Sequence, residues 1–303
     1  MTTLSIIIPA YNVGLFLEDA VHSIDFIDNQ MEIIIVNDGS TDNTLSVAQK
    51  LQSEIHQLRI IDQENAGLAQ SRNNAISVAQ GDYLMFLDAD DRYKNNAISN
   101  ILRIIREKAP ELIIYNVEDY DIVARQVIKV TVHDRIVKKA GSVYWNKVYK
   151  ATLFKGVDAP KGHLFEDSAV IPFIVAKAEN IILIKKVLYS YSVNRAESIM
   201  TNNFGTNFKE KLYALEYLNR LNVESKLGTD KKKQVDDYII SNIAFMFRKQ
   251  QNLKNMDIQT LHKMIDLAFE MLSQLGMKYV GVAKYFVYHL LLLRGIFYEK
   301  IIK

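Results

Sequence analysis

The chain has 303 residues, of which 49% are hydrophobic and 24% are charged, a composition typical of a globular protein with an ample core. Its 37 Lys and Arg nearly balance its 35 Asp and Glu, so net charge does not favour a nucleic-acid polymer as partner. The lack of cysteine excludes disulfides and thiolate zinc sites. No secretory signal and no run of ~18–20 apolar residues is visible, which predicts a soluble, cytoplasmic protein.

Short β-rich runs alternate with helical patterns up to about residue 115, as in βαβ units around a mostly parallel sheet. The predicted strands are Leu4–Ile8, Glu32–Val36, Leu58–Ile61, Tyr83–Leu87 and Leu112–Tyr115. The predicted helices between them are Gly14–Ile27, Asn43–Leu51, Leu68–Ala79 and Asn95–Glu107.

The pattern becomes mixed after residue 115 and helical after residue 207. The mixed part predicts strands at Gln126–Val132 and Ile181–Val187 and a helix at Asp167–Ala178. The helical part predicts Asn207–Ser225, Lys231–Gln251, Ile258–Leu275 and Val282–Ile301. We therefore expect an α/β domain over residues 1–203 and a helical C-terminal region over 204–303.

Two predicted strands end in residues suited to holding a nucleotide base. Ligands of open α/β sheets bind outside the carboxyl ends of the strands. The first strand runs into Pro9, Tyr11 and Asn12, where proline closes the strand and the tyrosine ring can stack on a base. The second runs into Asp38, whose carboxylate can accept the imide N–H of uracil. Turn formation and helix capping are the alternatives for Asp38.

The fourth strand ends in "FLDADDRY", which places three acids within four positions. Like charges so close repel one another and favour a cation between them. Asp88 and Asp90 can both turn toward one point, and oxygen ligands of this kind suit Mg²⁺ or Mn²⁺ with substrate phosphates completing the shell. A solvated turn is the alternative for an isolated acidic triplet.

Seven motifs follow one another between Leu4 and Ser198: "IIIPAYN", "EIIIVNDGSTD", "ENAGLAQSRNNAI", "GDYLMFLDADD", "WNKVYK", "FEDSAV" and "YSYSVNRAESI". In this order they resemble glycosyltransferase family 2, enzymes of the GT-A fold that use nucleotide-diphosphate sugars. The resemblance implies a Rossmann-like GT-A domain with its nucleotide-sugar half at 1–115 and its acceptor half at 116–203. It also implies that Asn65-Ala66-Gly67 and Ser71-Arg72-Asn73 line the nucleotide pocket.

The resemblance further implies that Asp88 approaches ribose or metal and that Asp90 is the direct metal ligand. "NRAES" would close over the diphosphate as a clamp. Two alternatives stay open. Arg72 is then an ion-pair partner of the acidic loop, and "NRAES" is then a surface loop. The expected nucleotide-sugar-binding residues are Pro9, Tyr11, Asn12, Asp38, Asn65, Gly67, Arg72, Asp88, Ala89, Asp90, Arg195 and Ser198.

The "FED" motif would supply the catalytic base of this resemblance. Inverting sugar transfer needs a base to remove the acceptor proton and stabilisation of the departing diphosphate. We choose Asp167, with Glu166 as the alternative, because the two point in different directions at a helix start and only one can face the acceptor. Capping alone would select the same residues.

Trp145 and Asn146 are expected to form part of the acceptor floor, with the indole packing on sugar C–H groups. A plain core aromatic is the alternative for Trp145.

The C-terminal region is basic: from residue 204 onward the chain has 16 Lys and Arg against 10 Asp and Glu. Tyr285–Lys303 is therefore either a helix packed on the core or an interfacial helix at the inner face of the plasma membrane.

The predicted function is metal-dependent (Mn²⁺ or Mg²⁺), inverting transfer of a hexose or N-acetylhexosamine from a UDP-sugar to a glycan or lipid-linked glycan. Capsule, exopolysaccharide, lipopolysaccharide and teichoic acid are the expected bacterial products. The alternatives are a transferase acting on protein or glycopeptide, and a non-catalytic nucleotide-sugar-binding subunit. The sequence is compatible with a homo-oligomer.

Overall fold

A computed structural model of the chain describes residues 3–25, 29–194 and 207–248, together with 266 and 270. Arg195 and Ser198 lie outside these residues, so their expected clamp role stays a prediction. The same holds for Tyr285–Lys303 and its membrane contact, and for the two predicted C-terminal helices apart from 266 and 270. Within the described ranges, no helix has the length and apolarity needed to cross a bilayer.

A mixed nine-stranded sheet forms the centre of the described structure. The strands are β1 Leu4–Ala10, β2 Met31–Asp38, β3 Leu58–Gln63, β4 Tyr83–Phe86, β5 Arg92–Tyr93, β6 Leu112–Asp121, β7 Gln126–Thr131, β8 Lys147–Lys150 and β9 Ile181–Val193. Their order is β3-β2-β1-β4-β8-β6-β9-β5, and β7 pairs with β6 outside this path.

Helices cover both faces of this sheet. They are α1 Leu17–His22, α2 Thr44–Glu54, α3 Leu68–Val78, α4 Ala97–Lys108, α5 Glu166–Lys177, α6 Asn207–Glu224 and α7 Thr229–Arg248. The apolar run of β1 shows why both faces are covered: Ile7 packs in one hydrophobic cluster, while Ile6 and Ile8 pack in the other. A strand buried on both faces reads as a continuous apolar run, as β1 and β2 do.

The directions of the strands place several carboxyl ends at one edge. Strands β1, β2, β3 and β4 are mutually parallel, whereas β8 is antiparallel to both β4 and β6. Strand β6 therefore runs in the direction of β4. We call the edge where β1, β2, β4 and β6 end the carboxyl edge. It is where ligands of open α/β sheets bind.

Most predicted strands and helices are confirmed, and the mixed α/β class is as expected. The predicted helix Gly14–Ile27 is wrong in extent, because within its described residues, 14–25, only Leu17–His22 is helical. The preceding turn is held to the next loop, with the Gly14 N–H donating to Asp42 Oδ2 at 3.1 Å. Pro9 does not close β1, which continues to Ala10. Strand β4 pairs with β1 only as far as Ile7, so the missing N–H of the proline removes no hydrogen bond between β1 and β4.

The described part of the helical region shares the core of the sheet domain. Leu215, Leu218 and Ile239 are fully buried in the same cluster as Ile7 and Phe86 of the sheet. Helices α6 and α7 pack on α5, which lies against that face. Residues on both sides of position 203 therefore contribute to one continuous core. The domain boundary expected there stays a prediction.

Candidate active site

Asp38 at the end of β2 holds the loop that follows β3. Its Oδ1 accepts hydrogen bonds from the Ala66 N–H at 2.8 Å and from Gln63 Nε2 at 2.7 Å, and its Oδ2 accepts from the Gly67 N–H at 2.9 Å. Only 4% of Asp38 is exposed. A carboxylate can accept about four hydrogen bonds, so one more donor can be served. The expected uracil contact stays a prediction, and loop anchoring is the role that the geometry shows.

Gly39 allows this loop to lie against the end of β2. Its φ is +68°, and a Cβ there would lie 2.6 Å from the backbone nitrogen of Asn65. A side chain would therefore push the loop away. Asn65 itself is exposed, and Gly67, with φ +85°, leads directly into α3. Both predicted pocket residues thus line the carboxyl edge beside Asp38.

The end of β1 displays Tyr11 at the surface, with half of the side chain exposed. Asn12, in the left-handed region at φ 51°, ties this end to the loop after β2. Its Oδ1 accepts from the Thr41 N–H at 2.8 Å, and its own N–H donates to Ser40 Oγ at 3.1 Å. The predicted base-stacking ring therefore lies at the carboxyl edge, held beside the Asp38 loop.

The acids that follow β4 divide into two kinds. Asp88 and Asp90 are half-buried, whereas Asp91 is 1% exposed. Asp91 accepts from the Tyr189 hydroxyl at 2.7 Å and from the Ser192 N–H at 2.7 Å. Burial, followed by the charges of Asp90 and Asp88, raises the pKa of Asp91 well above its usual value. Asp91 thus anchors the loop to β9, while the first two acids keep access to solvent.

Arg72 is the buried junction of the site. Its Nη2 contacts Asp88 Oδ1 at 2.9 Å, its Nη1 pairs with Glu166 Oε1, and its guanidinium lies 4.5 Å from the centre of the Tyr144 ring. Burial opposes the charge, but Asp88 and Glu166 raise the pKa of Arg72 overall. Arg72 is only 3% exposed, and its ion pairs are those of the alternative in which it supports the acidic loop. Its expected contact with the nucleotide stays a prediction.

The two acids of "FED" face different surroundings, as expected. Glu166 is 7% exposed, and burial raises its pKa to about 7 although Arg72 opposes the shift. Asp167 is half-buried, and its Oδ1 accepts from the Ser168 N–H at 2.5 Å. Phe165, with φ +60°, redirects the backbone just before α5. Asp167 is thus the acid that a substrate can reach, and its role as base stays a prediction.

Trp145 belongs to an aromatic platform on β9. Its ring stacks on those of Tyr189 and Tyr191, with centroid distances of 4.7 and 5.3 Å. Burial raises the pKa of Tyr191 to about 12, with Asp91 and Asp88 adding to the shift. Trp145 stays half-buried, so part of this platform is accessible.

Asn146 follows Trp145 in the chain but is fully buried. Its Nδ2 donates to the Ala140 carbonyl at 3.0 Å. Its Oδ1 accepts from the fully buried Lys147, whose ammonium also donates to the carbonyls of Gly141 at 2.8 Å and Val143 at 2.9 Å. Burial lowers the pKa of Lys147 well below its usual value. Asn146 therefore braces the Trp145 loop, and its expected part in the acceptor floor stays a prediction.

Helix α6 contributes two residues that the sequence did not reveal. Lys211 Nζ donates to Ser168 Oγ at 2.6 Å and lies 5.1 Å from the centre of the Phe165 ring. Glu210 Oε2 accepts from the Leu164 N–H at 3.1 Å. Both hold the segment that leads into α5, next to Asp167. They lie more than 40 positions from that segment along the chain, so no local pattern could have indicated them.

The oxygens at the end of β4 suit a hard divalent ion. Asp88 and Asp90 flank the buried Ala89, and both carboxylates are half-buried. Among the described residues no group of three His, Cys, Asp or Glu could hold a metal alone. Two carboxylates with an incomplete shell fit an ion that substrate phosphates complete. The donor set is therefore compatible with Mn²⁺ or Mg²⁺.

An open sheet with an acid pair, an exposed tyrosine and a neighbouring acidic helix start at its carboxyl edge is typical of the GT-A class of transferases. The chain belongs to glycosyltransferase family 2, since the family described as "Glycosyl transferase family 2" matches residues 5–173. A curated relative, Glycosyltransferase GlyG of Streptococcus pneumoniae serotype 4, is 31% identical over 223 residues, covering 66% of this chain and 74% of GlyG. The protein is therefore a glycosyltransferase.

Solved structures support the GT-A fold. The complex of S. aureus TarS with UDP-GlcNAc superposes with a TM-score of 0.73 at 18% identity, covering 89% of this chain and 80% of that one. The mannosyltransferase PcManGT from Pyrobaculum calidifontis, in complex with GDP-Man and Mn²⁺, superposes with a TM-score of 0.56 at 15% identity, covering 98% and 88%.

Proposed function

We propose that the protein transfers a sugar with inversion from a UDP-sugar to a glycan in the assembly of a bacterial cell-surface polysaccharide. The observation that carries the proposal is the pair of contacts made by Arg72, which joins the acid pair after β4 to the "FED" helix start through Asp88 and Glu166. One buried cation thus couples the donor side of the site to the acceptor side. The similarity to GlyG supports the reaction class, and the TarS complex supports UDP as the nucleotide.

The donor side would use residues of the carboxyl edge that face solvent. Tyr11 would stack on the base, and the loop anchored by Asp38 would bring Asn65 and Gly67 against the nucleotide. Asp88 and Asp90 would hold Mn²⁺ or Mg²⁺, which supplies Lewis-acid stabilisation of the leaving diphosphate. The Mn²⁺ in the PcManGT complex supports this choice of ion.

The acceptor side would use Asp167 as general base. Its carboxylate lies in the first turn of α5 and is accessible. Glu166 next to it is committed to Arg72, which leaves Asp167 to take the acceptor proton. The exposed part of Trp145 would carry the acceptor sugar. Residues 1–115 would then bind the donor and 116–203 the acceptor, with the described helices α6 and α7 bracing α5.

A donor screen tests the proposal. Nucleotide release would be measured with UDP-, GDP- and TDP-sugars in Mn²⁺, in Mg²⁺ and in EDTA. We expect release from one or more UDP-sugars only, and only with metal. The variant D90A should release no nucleotide above background in Mn²⁺, in Mg²⁺ or in EDTA. Release from GDP-sugars alone, or D90A activity close to wild type in EDTA, would reject the proposed donor or metal.

A further inference from the structure

The segment 122–139 exposes aliphatic side chains on both faces of a sheet strand. It contains β7, whose described ladder partner is β6, and the turn before it. Val123 is 76% exposed and Val132 is 72% exposed. The other exposed apolar residues of the segment are Val127, Ile128, Val130 and Ile136. Exposed apolar side chains grouped this closely along the chain indicate an interaction site.

The same segment is strongly basic. Its cations are all exposed, and its single acid is the half-buried Asp134. They are Arg125, Lys129, Arg135, Lys138 and Lys139. The segment therefore carries five positive charges against one negative charge, although the whole chain has a formal net charge of only +2. Aliphatic groups interleaved with cations complement a surface that is apolar beneath an anionic layer.

The surface is presented by a hydrogen-bonded hairpin. Asp121 Oδ1 accepts from the Val123 N–H at 2.9 Å and from the Ala124 N–H at 2.8 Å, and Asp121 Oδ2 accepts from Asn194 Nδ2 at 2.8 Å. The far end of the segment is fixed by Val137, which is 1% exposed in the core. Both ends of the segment are thus attached to the fold, while most residues between them, apart from the buried His133, face outward.

The hairpin lies on the active-site side of the molecule. Ile113 of β6 and Met85 of β4 both pair with Val148 of β8, so they stand level in the sheet. Strand β4 ends one residue later, whereas β6 continues to Asp121. At ~3.3 Å per residue the hairpin turn reaches roughly 20 Å past the end of β4, on the carboxyl edge.

We infer that segment 122–139 docks the protein on an anionic lipid bilayer. A second copy of the chain is a poorer occupant, because pairing two β7 edges would bring ten cations together. A nucleic acid is also a poorer occupant, because the only ring of the segment, that of His133, is buried and no exposed aromatic ring is left on which bases could stack. Docking through this hairpin would turn the carboxyl edge toward the membrane. Lipid binding is distinct from the proposed sugar transfer and can be measured without turnover.

Vesicle co-sedimentation with the full chain tests this inference. Wild-type protein should sediment with vesicles of phosphatidylglycerol and phosphatidylcholine and not with phosphatidylcholine alone, and binding should weaken as salt rises. The variant K129Q/K138Q removes two cations and should bind about 30-fold more weakly. V123S/V132S should also bind more weakly. K108Q/K155Q, which removes two exposed cations near the opposite edge, should bind like wild type.

Two further measurements keep the outcomes separate. Thermal unfolding and UDP release without vesicles should be unchanged in all three variants, so a failed donor screen would leave the lipid result standing. The inference is overturned if wild type ignores anionic vesicles, or if both hairpin variants bind them like wild type. A dimer that V123S/V132S dissociates, seen without vesicle binding, would make this surface an interface between copies.

Discussion

Burial separates the polar residues of the site into those that support it and those that can touch a substrate. Arg72, Glu166, Asp91 and Asn146 are nearly or fully buried, and each bonds to another part of the site. Buried polar groups cost free energy unless they are paired, so such residues hold the geometry. The acids that keep access to solvent are Asp88, Asp90 and Asp167.

Asp167 and Glu166 offer a direct comparison at this scale. The variant D167N keeps the size of the side chain and an oxygen that can accept the Ser168 N–H but cannot accept a proton, so turnover should fall by ~10²–10⁴ while UDP affinity hardly changes. E166Q leaves Arg72 with one carboxylate fewer, so its main expected effect is lower stability. Turnover by UDP release, with affinity by calorimetry and unfolding by denaturant, separates the two.

The two variants also define the contrary outcome. Near-normal turnover in D167N beside an inactive but folded E166Q would make Glu166 the base. Two nearly normal variants would show that the base lies elsewhere and that the acceptor site is misplaced.

The sequence alone predicts that some of these residues lie at the carboxyl edge, but it does not predict that others are buried. Tyr11, Asp88 and Asp90 follow apolar strands, and parallel strands deliver their carboxyl ends to one edge, so a local pattern predicts a shared site. Arg72 and Asn146 lie in equally polar motifs but point into the protein. Whether a polar side chain in a motif faces solvent depends on distant packing, which no local pattern contains.

Helix α6 braces the acidic start of α5 from outside the range that matches the family. Lys211 bonds Ser168 and packs over Phe165, whose positive φ needs support from its surroundings. We therefore regard Lys211 as a positioning residue for Asp167.

The variant K211M should lower kcat about tenfold, because a hydrogen bond from a charged group contributes ~1.5–3 kcal/mol and its loss lets the acid move. UDP affinity should not change, since the donor half is not touched. K211R should recover part of the rate, and K233M, which removes an exposed cation of α7, should behave like wild type. A loss of UDP affinity equal to the loss of kcat would indicate a general folding defect.

His133, between β7 and β8, gives the fold a dependence on pH. Its Nδ1 faces the Lys139 carbonyl at 3.3 Å, and its Nε2 is buried without a hydrogen-bond partner. Burial, followed by the charge of Lys147, lowers the pKa of His133 to about 4. The unfolded chain binds a proton near the usual pKa of ~6.5 and the folded one does not, so stability falls as pH drops through this window.

Between pH 7 and pH 5 this single group should remove about 2 kcal/mol of the free energy of unfolding. H133Q should lose that part of the pH dependence, as measured by denaturant titration at both values. H22Q, which replaces an exposed histidine of α1, should keep the wild-type slope. Equal slopes in wild type and H133Q would show that His133 titrates normally in the folded protein.

The elements that the sequence missed are short ones. Strands β5 and β8 have two and four residues, too few for a periodic pattern to emerge. Helix α1 is shorter than predicted because the N–H groups of the preceding turn donate to Thr44 at the start of α2 and to Asp42 just before it. Long amphipathic elements such as α4 were predicted within two residues at each end.

At the scale of the whole molecule, one edge of the sheet carries the donor, metal and base candidates, and the β6–β7 hairpin extends beyond that same edge. The helical region adds its described helices to the core beneath the acceptor half. The general α/β plan followed from the alternation of strands and helices, whereas the sharing of one core by α6, α7 and the sheet depends on contacts distant in sequence.

The central claim, inverting transfer from a UDP-sugar, is tested most directly by following hydrolysis of the donor by ¹H NMR in Mn²⁺. Water would replace the acceptor at Asp167, so an α-linked UDP-sugar should give UDP and a free sugar whose first-formed anomer is β. D167N should release neither at a comparable rate. First formation of the α anomer, or unchanged hydrolysis in EDTA, would contradict the account.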